Sequence, residues 1–188
     1  MKVTSTEDPD ILGVTLKKDF FNLPEDLKVW FVYAPPANSP YTRNRGSTIA
    51  KLEEFLAEES SDHHIILGDL NGRTATIDDY IEDSYDPHSP THNIQLHTLN
   101  PPLPRRNMDN HPPDEHGKLI IDLCKTFQAR ILNGRTAGDR WGNPTRFPIH
   151  RAEKPSTIDY GICSQTLISM VKSFYVLPFS TLSDHCCM

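Results

Sequence analysis

The chain has 188 residues, of which 37% are hydrophobic and 9% aromatic, and this is enough for the core of a single domain over residues 1–188. Its net charge of −6 argues against a surface covered with positive charge for nucleic acid. No stretch is apolar and long enough for a signal peptide or a membrane span. We therefore expect a protein with no membrane partner, located in the nucleus or the cytoplasm.

Hydrophobic periodicity in the first half of the chain predicts an α/β fold. Residues 11–16 and 27–33 are rich in aliphatic and aromatic side chains and are expected to form strands. Apolar residues recur at helical spacing over 47–59, where Ser47 can serve as the N-cap, and an apolar strand follows at 65–67. Strand, loop, helix and strand in this order are typical of α/β organisation.

The second half begins with a proline-rich segment over 84–116 that shows no periodicity, and we expect a long mobile loop there. Regular structure is predicted again after this loop. The expected elements are a helix at 117–128, a short strand and turn at 129–135, strands around 145–147 and 156–164, a short helix at 165–171 and a strand at 173–178.

The four cysteines predict neither a zinc site nor a disulfide framework. No two of them have CxxC spacing, and Cys186 and Cys187 are adjacent at the C-terminus. Zinc sites and disulfide scaffolds need regular spacings of such residues. All four cysteines are therefore expected to be free thiols, most of them buried.

Charge is distributed unevenly along the chain. Residues 52–94 carry eleven acidic side chains and one arginine, whereas residues 130–154 carry six Lys or Arg and two acids. A basic segment in an acidic chain can mark a site of phosphate contact, or it can be an ordinary solvated face. Charge alone leaves both interpretations open.

The stretch "HHIILGDLNGR" over 63–73 contains the first candidate site. Asp69 and Asn71 follow an apolar strand, and ligands of α/β folds collect at the carboxyl ends of strands. The same two residues could simply form an Asx turn between Gly68 and Gly72.

Two further polar stretches indicate a catalytic or metal-binding site. Asp159 lies in the apolar strand of "STIDYGICS", where an inward carboxylate is costly unless it is paired, and Asp184 and His185 are adjacent in "LSDHC". Carboxylates bind hard cations such as Mg²⁺, and a carboxylate can fix the tautomer of a histidine. Together these residue types suit metal-assisted hydrolysis.

The motifs "GDLNGR", "STIDYGICS" and "LSDHC" occur in the order found in the endonuclease/exonuclease/phosphatase (DNase I-like) superfamily, which the chain resembles over about residues 9–186. The stretches "FVYAPPANSPY", "GKLIIDLC" and "ILNGRTAGDRWG" most resemble the endonuclease domain of non-LTR (LINE-type) retrotransposon reverse transcriptase proteins. The resemblance implies an α/β fold of four layers, α/β/β/α, and Mg²⁺- or Mn²⁺-dependent cleavage of DNA.

Catalytic roles follow from the resemblance, residue by residue. Asp69 would orient or deprotonate the attacking water, and Asn71 would position both that aspartate and the phosphate. His185 would stabilise negative charge on the phosphate, with Asp159 hydrogen-bonded to its other ring nitrogen.

The resemblance also implies ligands for the metal and the DNA. Asp184 would help to hold the divalent metal. Tyr33 matches a tyrosine that contacts the scissile phosphate, although a half-buried aromatic at a strand end is the alternative. Arg135 and Arg146 would bind substrate phosphates without reading bases. The partners would be DNA and a reverse transcriptase domain in the parent polyprotein.

The pattern departs from the family at both ends. The family's first strands carry an asparagine and a metal-binding glutamate, and no acid before Tyr33 follows an apolar strand. We therefore expect an amino-terminally truncated, partial sandwich in which one sheet is thinned and part of its inner face is open. Asp184 and His185 are expected to lie on a fraying terminus.

Three functions remain open at this stage. The first is a metal-dependent DNA endonuclease fragment, whose activity depends on replacing the missing glutamate. The second is a remnant without activity that binds nucleic acid or protein. The third is a hydrolase of the same fold that acts on a phosphoinositide or another phosphoester, which the retrotransposon-like stretches disfavour.

Overall fold

The computed structural model describes residues 8–36, 39–42, 46–59, 61–81, 104–149 and 153–188, together with the backbone of 2–4. The elements are strands β1 (Lys2–Thr4), β2 (Ile11–Leu16), β3 (Leu27–Tyr33), β4 (His64–Asp69), β5 (Ala129–Ile131) and β6 (Asp159–Ser164), helices α1 (Lys18–Phe21), α2 (Thr48–Glu58) and α3 (Glu115–Thr126), and 3₁₀ turns at Pro40–Thr42 and Gln165–Met170. None of the helices described is long and apolar enough to cross a membrane.

The strands form one six-stranded sheet with the order β1-β2-β3-β4-β6-β5. Strands β3 and β4 are parallel and are connected through α2, whereas every other neighbouring pair is antiparallel. A helical crossover between parallel strands and antiparallel strands at both edges make a mixed α/β sheet, as the sequence predicted.

Side-chain caps determine where the two long helices begin. The Ser47 hydroxyl accepts a hydrogen bond from the Ala50 N–H at 3.3 Å, so that α2 begins where the sequence predicted. The Asp114 carboxylate accepts one from the Gly117 N–H at 2.7 Å, and α3 therefore begins at Glu115, inside the predicted loop. Most of that predicted loop, residues 84–103, lies outside the described residues.

One face of the sheet carries the main core. Helices α2 and α3 bury their apolar sides against it, together with side chains from the three neighbouring strands β3, β4 and β6. The central members are Trp30, Val32, Ile66, Tyr160 and Ile162, with Ile49, Leu52, Ile120 and Cys124 from the helices. Tyr160 and Ile162 of β6 belong to this core, and because successive side chains of a strand point to opposite faces, Asp159 lies on the other face.

The opposite face is only partly covered. Leu132, Leu167 and Phe174 pack on it near β5 and β6, whereas Leu12 and Phe31 on β2 and β3 remain nearly half exposed. Among the described residues, apolar surface is thus open on β2 and β3, and the truncated, thinned sheet expected from the sequence stays a prediction. No second sheet is found among the described residues, so the four-layer arrangement stays a prediction.

Two details of the sequence prediction are wrong. Residues 173–178 do not form a strand, and Phe174 instead uses its N–H to bind the Ala137 carbonyl at 2.8 Å. Around 145–147 there is only an isolated pairing of Arg146 with Ser156 and His185. The cysteines are free, as predicted; three are buried and Cys187 is exposed.

Candidate active site

Strand register brings three of the predicted site residues into one row. Tyr33 is the register partner of Asp69 across the parallel pair β3–β4, and Asp69 is the partner of Asp159 across the antiparallel pair β4–β6. Gly68 permits the close packing at this point, because a Cβ there would lie 1.9 Å from the Val32 carbonyl oxygen. The row lies at the carboxyl end of β3 and β4.

Asn71 holds the Asp69 carboxylate in place. Its backbone N–H donates to Asp69 Oδ1 at 3.0 Å, and its Nδ2 donates to Asp69 Oδ2 at 2.9 Å and to the Ala34 carbonyl at 3.0 Å. The backbone of Asn71 is left-handed, with φ of 44°, which asparagine tolerates better than most residues. The Asx turn considered from the sequence is therefore present, and it orients the carboxylate.

Asp159 and His185 form the second pair. His185 Nδ1 lies 3.0 Å from each carboxylate oxygen of Asp159. The segment that carries His185 is hydrogen-bonded, since Cys186 N–H donates to the Thr145 carbonyl at 2.7 Å and Phe147 N–H donates to the Asp184 carbonyl at 2.7 Å. The expectation that this segment frays at the terminus is therefore wrong.

Two polar side chains that the sequence analysis missed support Asp159. The Thr145 hydroxyl accepts the backbone N–H groups of Ile158 at 3.1 Å and Asp159 at 3.0 Å. Asn133 Nδ2 donates to the Asp159 carbonyl at 3.2 Å. Asn133 follows a short apolar run just as Asp69 does, and this was the signal that could have identified it.

Burial and charge perturb both carboxylates. The pKa of Asp69 is raised from 3.8 to about 6, first by burial and then by the Asp159 carboxylate, while hydrogen bonds from Asn71 oppose the shift. Burial also raises the pKa of Asp159, against hydrogen bonds from Thr145 and His185. Two carboxylates in register therefore resist ionisation together.

Ligand atoms suitable for a metal converge here. One oxygen of Asp69, one oxygen of Asp159 and a ring nitrogen of His185 lie within 4.8 Å of one another. The carboxylate of Asp184 is not in this group and faces Arg146, with Nε to Oδ2 at 3.2 Å. The role of Asp184 as a metal ligand stays a prediction.

Tyr33 lies at the end of β3, where its hydroxyl can contact a ligand. Its side chain is nearly half exposed, and its pKa is raised by partial burial and by the carboxylates of Asp69 and Asp10. A phenol beside the acidic pair can donate a hydrogen bond to an anionic ligand. Contact with a phosphate stays a prediction.

The two arginines predicted to bind DNA lie in different environments. Arg146 is partly exposed next to the site, and its backbone pairs with that of His185. Arg135 is buried, and its guanidinium binds Asp79 Oδ1 at 2.9 Å. The assignment of Arg135 to the substrate is therefore wrong: a guanidinium that faces a fully buried carboxylate cannot reach DNA.

Arg135 belongs to a buried arginine cluster. Arg130 donates to the Asp79 carbonyl at 3.2 Å, and Arg105 donates to Thr74 Oγ1 at 2.9 Å. The positive charge of the basic segment is thus partly directed inward, which charge counts along the chain cannot reveal.

No protein-family model matches the sequence, and no curated protein matches it. Solved structures do match in fold. The 3'-5' exonuclease NExo from Neisseria meningitidis is 18% identical with a TM-score of 0.60, and the match covers 96% of this chain and 64% of NExo. A NExo variant from Neisseria, described as a 3' phosphatase bound to a product DNA hairpin, is also 18% identical over the same shares, with a TM-score of 0.59.

The endonuclease domain of TRAS1, a telomere-specific non-LTR retrotransposon, is 13% identical with a TM-score of 0.54, and the match covers 98% of this chain and 64% of that domain. The chain thus spans less than two thirds of each of these structures. The mixed α/β sheet agrees with these matches, and the chain shares the α/β fold of these three structures, as its motifs predicted.

Proposed function

We propose that this chain is a divalent-metal-dependent phosphodiesterase domain of retrotransposon origin that cleaves DNA. The observation that carries the proposal is the meeting of the Asp69–Asn71 and Asp159–His185 pairs at one edge of the sheet. The two pairs lie far apart in sequence. Nothing in the packing of the core requires two buried carboxylates in register, and their raised pKa values show that the arrangement is costly for the folded chain.

The residues present fit a hard divalent cation. The Asp69 and Asp159 carboxylates would hold Mg²⁺ or Mn²⁺, since such ions prefer oxygen ligands and their charge would relieve the repulsion between the two acids. Asp184 would join them after leaving Arg146. Once bound, the metal would polarise the phosphodiester and lower the pKa of a coordinated water.

The side chains themselves would orient the phosphate and accept the proton of the attacking water. Asp69, oriented by Asn71, would accept a proton from the attacking water with one of its carboxylate oxygens. His185, held through Nδ1 by Asp159, keeps Nε2 for a hydrogen bond to a phosphoryl oxygen. Tyr33 and Arg146 would orient the phosphate.

DNA is the preferred substrate among phosphoesters. One structural neighbour binds a product DNA hairpin and another is a retrotransposon endonuclease domain. Arg146 and the exposed Arg106 and Arg140 supply positive charge for a phosphate backbone. In a parent polyprotein of this origin, a reverse transcriptase domain would be the partner, and the nucleus or cytoplasm the place of action.

A remnant without catalysis is the second candidate. The observation that favours it is that no glutamate joins the cluster of Asp69, Asp159 and His185 in the described part of the chain. With two carboxylates rather than three, metal affinity would be low, and the chain would then only bind nucleic acid or protein.

Nicking of supercoiled plasmid by the purified chain distinguishes these candidates. We expect nicking in Mg²⁺ that EDTA abolishes, and that Asp69→Asn and His185→Ala both lose. Asp122→Asn is the matched control, because Asp122 is an exposed acid on α3, and it should nick as the wild type does. Absence of nicking by a folded wild-type chain at high Mg²⁺ would support the remnant, and nicking that Asp69→Asn retains would contradict the proposed site.

A further inference from the structure

Trp141 is an exposed aromatic side chain with a cation against its ring. It is 61% exposed, whereas the other tryptophan, Trp30, is 1% exposed. The guanidinium carbon of Arg106 lies 4.5 Å from the centroid of the Trp141 ring. A cation at this distance stabilises one ring face, and the large exposed fraction leaves the rest of the indole open to a further stacking partner.

The backbone around this tryptophan is fixed. Arg106 N–H donates to the Gly134 carbonyl and Met108 N–H donates to the Gly142 carbonyl, both at 2.9 Å. Gly142, at φ of 69°, packs so closely that a Cβ would lie 2.3 Å from the Arg106 carbonyl oxygen. The loop that carries Trp141 is therefore held against residues 106–108.

Residues 105–109 alternate between the interior and the surface. Arg105 and Asp109 are buried, whereas Arg106 and Met108 are exposed. Met108 and Arg106 thus lie on the surface beside Trp141, and we name these three residues the Trp141 platform. Its members are an aromatic ring, a planar cation and a polarizable thioether, which are groups that stack on or contact flat ligands.

Hydrogen bonds connect the platform to the end of the sheet where Asp69 and Asp159 lie, which we call the catalytic edge. Asp109 Oδ2 accepts the Thr157 N–H at 2.9 Å, two residues before Asp159. Trp141 precedes Thr145 by four residues, and the Thr145 hydroxyl accepts the Asp159 N–H at 3.0 Å. Four residues span at most about 14 Å. A DNA strand advances about 3.4 Å per nucleotide, so the platform lies within a few nucleotides of the catalytic edge.

We infer that the Trp141 platform stacks against an unpaired base of the DNA strand, close to the phosphodiester that is cleaved. This inference rests on the proposed function, because it assumes that DNA crosses the Asp69–Asp159 edge. The base must be unpaired because the faces of a base in an intact duplex are covered by its neighbours. Arg106, which lies against the ring, and Arg140, which precedes Trp141 in the chain, are both exposed and would contact neighbouring phosphates.

The inference predicts a preference for unpaired DNA, which the proposed catalytic residues by themselves do not predict. Stacking on an aromatic ring is tolerant of sequence, since every base has a π face. The chain should therefore bind single-stranded, gapped or mismatched DNA more tightly than a perfect duplex, with little dependence on base identity. An exposed tryptophan that is merely covered by an arginine on one side would confer no such preference.

Tryptophan fluorescence tests the inference without cleavage. The chain is titrated in EDTA with a short single-stranded oligodeoxynucleotide and with the corresponding perfect duplex. We expect the single strand to quench Trp141 and protect it from iodide, both in the wild type and in Trp30→Phe. Trp141→Ala should weaken single-strand binding about tenfold, and Trp141→Phe should weaken it less.

The control is Phe20→Ala, which removes an aromatic side chain that is 82% exposed on α1, and it should leave the affinity unchanged. Equal affinities of the wild type and Trp141→Ala for the single strand would overturn the inference, as would binding without a change in Trp141 fluorescence. So would an absence of binding to either probe. Plasmid nicking in Mg²⁺ by the same preparation reports separately on the proposed function, so the two failures are distinguishable.

Discussion

Replacing Asp69 by asparagine should abolish cleavage and at the same time stabilise the folded chain. In the wild type above neutral pH, Asp69 is ionised beside Asp159 in a partly buried position, which raises its pKa from 3.8 to about 6. This difference corresponds to a destabilisation of about 3 kcal/mol once the group is ionised in both folded and unfolded states. The neutral amide of the variant avoids this cost.

The substitution also removes a favourable contact. Asn71 Nδ2 donates to Asp69 Oδ2 at 2.9 Å, and the new amide nitrogen would face that donor instead of accepting from it. The lost hydrogen bond costs about 1 kcal/mol, whereas the bond from the Asn71 backbone N–H can be kept by the amide oxygen. The expected net gain is about 1–2 kcal/mol in the free energy of unfolding at about pH 7.5.

The pH dependence of this gain is the decisive measurement. Because the folded pKa of Asp69 is raised, the folded chain binds more protons than the unfolded chain between about pH 4 and 6, and its stability falls as the pH rises through that window. Urea unfolding of the wild type and Asp69→Asn in EDTA should therefore show a gain that is absent near pH 4 and complete above pH 7.

Two outcomes would refute the reasoning. A variant less stable than the wild type at every pH would show that the Asn71 hydrogen bonds outweigh the repulsion between Asp69 and Asp159. A stability difference that does not change with pH would show that Asp69 titrates normally. Asp122→Asn, the exposed control, should change stability by less than about 0.5 kcal/mol.

Three further predictions concern the folded chain and are measured by urea unfolding. Gly68→Ala should cost more than about 3 kcal/mol, because its Cβ would strike the carbonyl oxygen of β3, whereas Gly46→Ala, at positive φ but with open space, should cost about 1 kcal/mol; equal losses would exclude the clash. Asp79→Asn should cost about 3–5 kcal/mol because it leaves the buried arginine cluster without its carboxylate; a loss below about 1 kcal/mol would contradict the ion pair. Tyr160→Phe should cost about 2 kcal/mol, since the single O–H of Tyr160 donates between the Gly72 and Thr157 carbonyls, which lie 2.7 and 2.8 Å from its oxygen. Unchanged stability would show that water replaces the hydroxyl.

Local elements could be predicted where the hydrophobic pattern and the flanking signals agree. Strands β2 and β3 have the predicted bounds, and α2 begins after Ser47 as its cap and periodicity indicate. Residues 173–178 show the limit of this approach. They are as apolar as a strand, but the N–H groups of Phe174 and Leu177 donate to the Ala137 and Cys187 carbonyls outside the sheet, and no local pattern indicates these partners.

Arg135 shows that predictions from the pattern of charges along the chain have the same limit. The sequence places it in a basic segment, and the resemblance assigned it to DNA, yet it turns inward to a carboxylate 56 residues away. Whether a charged side chain faces solvent or the interior depends on the partner that folding supplies. A partner so distant along the chain cannot be inferred from charge spacing alone.

The sequence by itself determined the fold class and named the four residues of the two polar pairs at the candidate site, because each lies at the end of an apolar strand or in a recognisable motif. The resemblance implied the pairing of Asp69 with Asn71 and of Asp159 with His185, whereas only the tertiary structure brought the two pairs together and set Asp184 against Arg146. The reason is strand register. Pairing of β3, β4 and β6 sets Tyr33, Asp69 and Asp159 side by side, and register is a relation between distant segments that no single segment contains.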